Sequence, residues 1–245
     1  MSKELIIEGM GASRNLCPFD RKDVPIWSCN NGYIQIAEMH GYITKIFMSH
    51  NQHLKQANKD GKVYNVKAYN IPQMNMLAEH GVEILNTHRI KGLKMNLYPL
   101  KRIDKKLGAN GFFSDTIAYM LAYAIDKSTK LESGRVVLNK NPFEKIWIYG
   151  VDMLTKDEYE LEKGGIEYWI GYARGLGIDV INSDGSSLCK TCTGKPYGMR
   201  FFDPKDFDPW EMLRASGKDG VYIDQAKPTK KQIKAMQKAL RRTII

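Results

Sequence analysis

Leu5-Ile6-Ile7-Glu8-Gly9-Met10-Gly11-Ala12-Ser13-Arg14 decides how the rest of the chain is read. A short apolar run, the length of a buried strand, stops at Gly-x-Gly-x-Ser. Glycines there let the backbone turn with φ > 0 and approach a ligand closely. Backbone N–H groups in such a turn, with a serine hydroxyl beside them, make a place for phosphate oxygens. A second run, Val24-Pro25-Ile26-Trp27-Ser28-Cys29, ends in Asn30-Asn31-Gly32, and a third ends in Ser49-His50-Asn51. Successive strands ending in small polar residues read as the ligand edge of an α/β sheet. The pattern predicts a nucleotide site drawn from Gly9, Gly11, Ser13, Arg14, Asn30, Asn31 and Asn51. The usual dinucleotide fingerprint fits poorly, because Arg14 stands at its third glycine and Pro18 follows where a helix should begin. A glycine turn with no ligand is the competing explanation.

Working outward, strand-like and helix-like segments alternate. Strands are predicted at residues 4–8, 26–29, 44–48, 82–85, 145–149 and 178–181, and helices at 33–40, 53–59, 71–80, 114–127, 165–176 and 229–242. Such alternation predicts an α/β fold, a mostly parallel sheet with helices on its faces. The 245 residues are an ordinary length for one such domain, and an apolar content of 43% with 10% aromatics argues for a folded core. The expected organisation is a nucleotide(-sugar)-binding catalytic domain over residues 1–226, with a basic helix at 227–245 packed on it.

No apolar run reaches the roughly 18 residues of a membrane span. The opening Met1-Ser2-Lys3-Glu4 leads straight into a strand, so a cytoplasmic protein without a signal peptide is expected. Of the four cysteines, Cys189 and Cys192 make half a zinc site that nothing completes. Cys29, at a strand end, reads as a small buried hydrophobe. Asp206-Phe207-Asp208 has a spacing that suits magnesium or manganese. It lies in a Pro-rich loop where turn and cap use of aspartate explains it, so no metal is expected.

The net charge of +10 is concentrated. Residues 227–245 carry +7 and residues 89–106 carry +6, leaving −3 for the rest. Concentrated basicity suits a polyanion, and the predicted partner is double-stranded DNA, contacted by Lys101, Arg102, Lys105, Lys230, Lys234 and Arg241. Two solvated lysine-rich faces are the plainer explanation. Membrane association fits less well, since the apolar stripe Ile233, Met236, Leu240 is narrow and lacks aromatics.

The segment 114–127 has the clearest helical signature. Ser114 or Asp115 can cap it, and Ile117, Leu121 and Ala124 recur on one face. An exposed cap at a helix start favours an anion, and a plain structural cap is the commoner explanation. The strand after it ends in Tyr149-Gly150-Val151-Asp152-Met153. Together with the opening Ile-Ile-x-Gly-x-Gly-x-Ser and Cys29-Asn30, these blocks resemble the bacterial CMP-sialic-acid sialyltransferases. So does the run from Ile166-Glu167-Tyr168 through Gly177-Ile178-Asp179-Val180 to Ser186-Ser187-Leu188. The archaeal pterin pyrophosphokinase-like family and some tailed-phage proteins share the pattern, which covers about half of the chain. The resemblance implies a Rossmann-like fold. It places Gly9, Gly11 and Ser13 at phosphate or ribose, Asn30 and Ser114 at the nucleotide, and Asp152 at the site edge. One departure stands out: the sialyltransferases carry a histidine base shortly before the late helix, where this chain has Lys156-Asp157-Glu158-Tyr159-Glu160-Leu161-Glu162.

Sugar transfer to a hydroxyl needs a base for the acceptor proton and stabilisation of the leaving phosphate. Candidate bases are Asp152, Glu158 and His50. The Gly9–Ser13 turn, Arg14, and Tyr159 or Tyr172 are candidates for the phosphate. Joined to the charge pattern, the expectation is a glycosyltransferase that uses a UDP- or CMP-linked sugar and modifies hydroxymethylated cytosine in phage DNA. The alternatives are a pyrophosphokinase-like phosphotransferase and a non-catalytic protein that sequesters a nucleotide.

Overall fold

The computed structural model describes residues 3–34, 43–50, 53–57, 63–67, 69–108, 111–154, 161–184 and 186–189. Packing divides the chain into two compact units, Met1–Leu188 and Cys189–Ile245. The strands and helices described below belong to the first. The expected boundary near residue 226, the helix expected at 229–242 and the Asp206/Asp208 pair lie outside the described residues.

Among the described residues the central sheet has seven strands: β1 (Glu4–Glu8), β2 (Ile26–Cys29), β3 (Ile43–Met48), β6 (Glu83–Asn86), β7 (Asn96–Leu97), β10 (Lys145–Tyr149) and β11 (Asp179–Asn182). Their order across the sheet is β11-β10-β1-β2-β3-β6-β7, and every neighbouring pair runs parallel. Among the described residues four helices have both ends defined: α1 (Ile71–Glu79), α2 (Leu100–Leu107), α3 (Thr116–Ser128) and α4 (Lys163–Gly175). This is the Rossmann-like α/β arrangement that the sequence predicts.

Alternation along the strands explains why both faces need covering. Successive side chains on a strand point to opposite faces. Leu5 and Ile7 of β1 lie in one apolar cluster with Trp27, Phe47, Ile146 and Ile148, covered by α2, α3 and α4. Ile6 and Ile26 face the other way, against Cys17, Phe19 and Val24. Ile46, Met48 and Ile84 on that second face meet Met74 of α1. A strand buried on both faces must be a continuous apolar run, which is why Leu-Ile-Ile is so legible.

Some segments depart from expectation. Residues 53–57 form a strand, β4 (His53–Ala57), paired antiparallel with β5 (Val63–Lys67), rather than a helix. The alternating Val63-Tyr64-Asn65-Val66 supplies a strand partner, and pairing overrides the weak helical tendency of the first segment. A second hairpin, β8 (Thr129–Glu132) with β9 (Arg135–Leu138), turns at Ser133-Gly134, both with φ > 0. The basic stretch 100–107 is helix α2, closed by Gly108 in the left-handed conformation at its C-cap.

Candidate active site

Chain order across the sheet reverses between β1 and β10. From β1 the chain builds outward through β2, β3, β6 and β7, then returns to lay β10 and β11 on the other side of β1. In open parallel sheets ligands bind at such a switch point, beyond the carboxyl ends of the strands. A cavity of about 350 Å³ lies there, within the size range of small-molecule sites.

Three structural features enclose it, the first being a crossing of two loops. Gly9 follows β1 and Gly150 follows β10, and the two loops cross in contact: Gly9 N–H donates to the Tyr149 carbonyl at 2.8 Å and Gly11 N–H to that of Gly150 at 2.7 Å. A Cβ on Gly9 would run into the Gly150 carbonyl, and one on Gly150, which sits at φ +67°, would stand 2.6 Å from the Gly9 carbonyl. Gly9 therefore serves backbone against backbone. Gly11 is different, because a Cβ there would stand 2.7 Å from Asp152 Oδ2.

The wall opposite is the first turn of α3, where the Asp115 carboxylate caps the Ala118 amide at 2.8 Å. Ser114, Asp115, Thr116 and Ile117 line the cavity. The Ser114 hydroxyl donates to the Glu162 carbonyl at 2.8 Å. That contact needs Gly165 in α4, since any side chain there would collide with Ser114. The third wall is the end of β3: Ser49 bonds Thr116 between hydroxyls at 2.7 Å, and the His50 backbone exchanges two bonds with the Tyr69 hydroxyl, both 3.1 Å. His50 is exposed at the rim.

The cavity's polar chemistry is lopsided. Asp115, Asp152 and Glu162 line it, and none of its lining residues among the described ones is Lys or Arg. Asp152 is buried, with Oδ2 accepting from the Ser13 amide at 3.0 Å and Oδ1 without a partner among the described residues. Asn30 Oδ1 is likewise buried and without a partner among the described residues. An unpaired buried acceptor costs about 1–3 kcal/mol, so the two oxygens call for ligand donors such as sugar hydroxyls or an exocyclic amine. Asn30 and Met153, both lining residues, hold φ of +49° and +53°. Non-glycine residues in that region concentrate at ligand sites. An anionic ligand group has the amide end of α3 to face.

Gly9, Gly11, Asn30, His50, Ser114 and Asp152 from the sequence-based set meet around this cavity. Ser13 and Arg14 do not line it. Arg14 is buried on the far side of β1, its guanidinium 2.6 Å from Glu8 and donating to the Gly32 carbonyl at 3.1 Å. It is committed to an internal carboxylate, not exposed to a phosphate. Burial pushes Glu8 up to about 7, against the opposing pull of the Ser28 hydroxyl and Arg14. Ser13 is buried, accepting from the Gly150 amide at 2.9 Å and from the Ser183 hydroxyl at 2.8 Å. Asn31 lies outside the lining and its carbonyl caps Ile34 at 3.2 Å. Tyr172 packs among Tyr168 and Trp169 on α4. Asn51, Glu158 and Tyr159 lie outside the described residues. Among the described residues no cluster of His, Cys, Asp or Glu could hold a metal.

Of the proposed nucleic-acid contacts, Arg102 forms a bidentate pair with buried Asp126 at 2.8 and 2.7 Å, and Lys106 joins it at 3.1 Å. Asp126 stands ten residues along α3 from the cavity, roughly 15 Å at the helical rise. Lys101 and Lys105 are exposed on α2. Lys230, Lys234 and Arg241 lie outside the described residues. No described helix is long and apolar enough to cross a membrane.

The sequence reading missed Ser183, and it named Ser186 only within a block of the resemblance, with no role at the site. Both follow β11 and both are buried, and Ser186 donates to the Val151 carbonyl at 2.6 Å. The signal that found Asn30, a small polar residue just past a strand, applies equally to Asn182-Ser183.

No family model matches the chain, and no curated protein does so either. Among solved structures it is similar to the Campylobacter jejuni sialyltransferase CstII in complex with a substrate analogue, cytidine-5'-monophosphate. Identity is 14%, covering 77% of this chain and 86% of that one, with a TM-score of 0.43. It is also similar to the sialyltransferase CST-II in complex with a trisaccharide acceptor and CMP, at 14% identity over 74% of this chain and 80% of that one, TM-score 0.42.

Proposed function

We propose that the chain is a glycosyltransferase that takes a sugar from a UDP- or CMP-linked donor and passes it to a hydroxyl. The observation that carries the reading is the switch-point cavity lined by Asn30 and Asp152, whose buried Oδ1 atoms have no partner among the described residues, and by the first turn of a thirteen-residue helix. In this reading the oxygens accept from hydroxyl or amine groups of the nucleoside. The amide end of α3 faces the phosphate. The acceptor oxygen bonds to the anomeric carbon as the bond to phosphate breaks, and the phosphate leaves with the electron pair. His50, exposed at the rim where an acceptor arrives, takes the hydroxyl proton. Asp152 is the buried candidate and acts on the nucleoside instead.

For the acceptor we propose hydroxymethylated cytosine in DNA. What supports this is the concentrated positive charge, with Lys101 and Lys105 exposed on α2. Thermal unfolding with CMP, UDP, GDP, ATP and NAD tests the donor half. A ligand at 100 times its dissociation constant adds about 2.7 kcal/mol of stability. Incubation with nucleotide sugars and hydroxymethylcytosine DNA, read by nucleoside mass spectrometry, tests the acceptor half. No mass gain with any common donor removes the DNA acceptor, and no thermal shift with any nucleotide removes the whole reading. Tight binding without turnover would favour a sequestering protein, and magnesium-dependent use of ATP a phosphotransferase.

A further inference from the structure

We infer that Ser13 and Ser183 are positioning residues that hold the Asp152 carboxylate at the cavity, an inference that rests on the nucleotide reading above. Asp152 sits in an irregular loop, two residues after left-handed Gly150 and one before left-handed Met153. No helix or strand fixes its direction. What fixes it comes from the two neighbouring strand ends. The Ser13 amide holds Oδ2 at 3.0 Å, and the Ser13 hydroxyl accepts from the Gly150 amide at 2.9 Å, gripping both ends of the Gly150–Asp152 segment.

The Ser13 hydroxyl is in turn held from β11, where Ser183 donates to it at 2.8 Å while the Ser183 amide is anchored on the Ile148 carbonyl at 2.9 Å. On the other flank the Ser187 amide donates to the Asp152 carbonyl at 3.1 Å. Ser13 and Ser183 are both buried and neither lines the cavity, so they reach a ligand only through Asp152. With Oδ2 taken by Ser13, Oδ1 is left as the oxygen with no partner among the described residues. The chain of bonds from β11 through Ser183 and Ser13 thereby sets the orientation of that oxygen.

The test is a double-mutant cycle with CMP and UDP as probes, affinity and thermal midpoint being measured on each folded variant. Ser183→Ala removes one neutral hydrogen bond and should weaken nucleotide binding about 3- to 10-fold. Ser183→Thr, which keeps the hydroxyl, should restore it. In an Asp152→Ala background, Ser183→Ala should cost no further affinity yet still lower the midpoint as it does in the wild type. A purely structural staple would lower the midpoint and leave the affinity of the folded protein unchanged, which overturns the inference. Equal affinity losses in both backgrounds would overturn it too. Wild-type affinity in Asp152→Ala alone would instead remove the role given to Asp152, and failure of the wild type to bind either probe would remove the nucleotide reading itself.

Discussion

Gly11→Ala separates the two uses of glycine at this site. The Gly11 backbone lies at φ −71° and ψ 169°, a conformation any residue adopts, so the substitution brings no backbone strain. The new methyl would stand 2.7 Å from Asp152 Oδ2 and 3.0 Å from the Gly150 carbonyl oxygen. The carbonyl contact yields to a shift of a few tenths of an ångström, but the carboxylate must swing away. Swinging it breaks the 3.0 Å bond from the Ser13 amide. A hydrogen bond to a charged group contributes about 1.5–3 kcal/mol, so nucleotide affinity should fall by roughly 10- to 150-fold. Gly9→Ala meets backbone instead: its methyl collides with the Gly150 carbonyl and comes within 2.8 Å of Val151 Cγ2. Neither can move without parting β1 from β10, so a loss of about 1–3 kcal/mol in stability is expected, and more if the crossing cannot relax. At this chain length that lowers the midpoint by roughly 2–4 °C per kcal/mol. Calorimetric titration with CMP and UDP, beside thermal unfolding, reads both variants. Undiminished nucleotide affinity in Gly11→Ala would refute the placement of the ligand against Asp152. A Gly9→Ala protein as stable as the wild type would refute the account of the crossing.

Further predictions concern the groups around the cavity. Glu8 titrates at about 7 when folded, above its ordinary 4.5, so the native state holds its proton over a range where the unfolded chain has lost it. Its own contribution to stability is therefore greatest below pH 4.5 and falls as pH rises to about 7, by on the order of 3 kcal/mol. Denaturant melts of Glu8→Gln from pH 4.5 to 7.5 should show a flatter pH dependence, with the loss of Arg14's counter-charge lowering stability only toward and above pH 7, where Glu8 is ionised. Arg102→Ala should reduce stability by about 1 kcal/mol and leave nucleotide affinity unchanged, since its bidentate pair with Asp126 lies at the far end of α3, and titration with CMP checks the second half. Asn30→Gly keeps the left-handed backbone and removes the side-chain oxygen, so it should weaken nucleotide binding without the loss of thermal midpoint expected of Asn30→Val. Deleting residues 229–245 should flatten the salt dependence of DNA binding by about 0.9 in slope per lost phosphate contact, as read by fluorescence anisotropy at several salt concentrations.

By itself the sequence determined six strands of the central sheet and the edge at which to look, while residues 53–57, read as a helix, form a strand. A strand buried on both faces must be apolar throughout, so Leu5-Ile6-Ile7 is legible within a window of a few residues, and Ile146-Trp147-Ile148, fully buried only at alternate positions, shows a similar apolar run. The break in each run, at Gly9 and at Gly150, marks where the sheet ends, and the small polar residues beyond it, Asn30 and Ser49 among them, follow from the same local rule. Only the tertiary structure decided which of those residues face the cavity. Arg14 and Ser13 stand in a short 3-10 turn whose direction depends on the strands on either side of β1, and no local pattern encodes that β10 and β11 return there after four strands have been laid on the other edge. That return turns Arg14 onto Glu8, brings Ser183 to Ser13 across 170 residues, and makes the crossing of the Gly9 and Gly150 loops the reason for the glycines. Local periodicity is a property of neighbouring residues. Partnership between distant side chains is a property of strand order, which burial and packing across the whole sheet select.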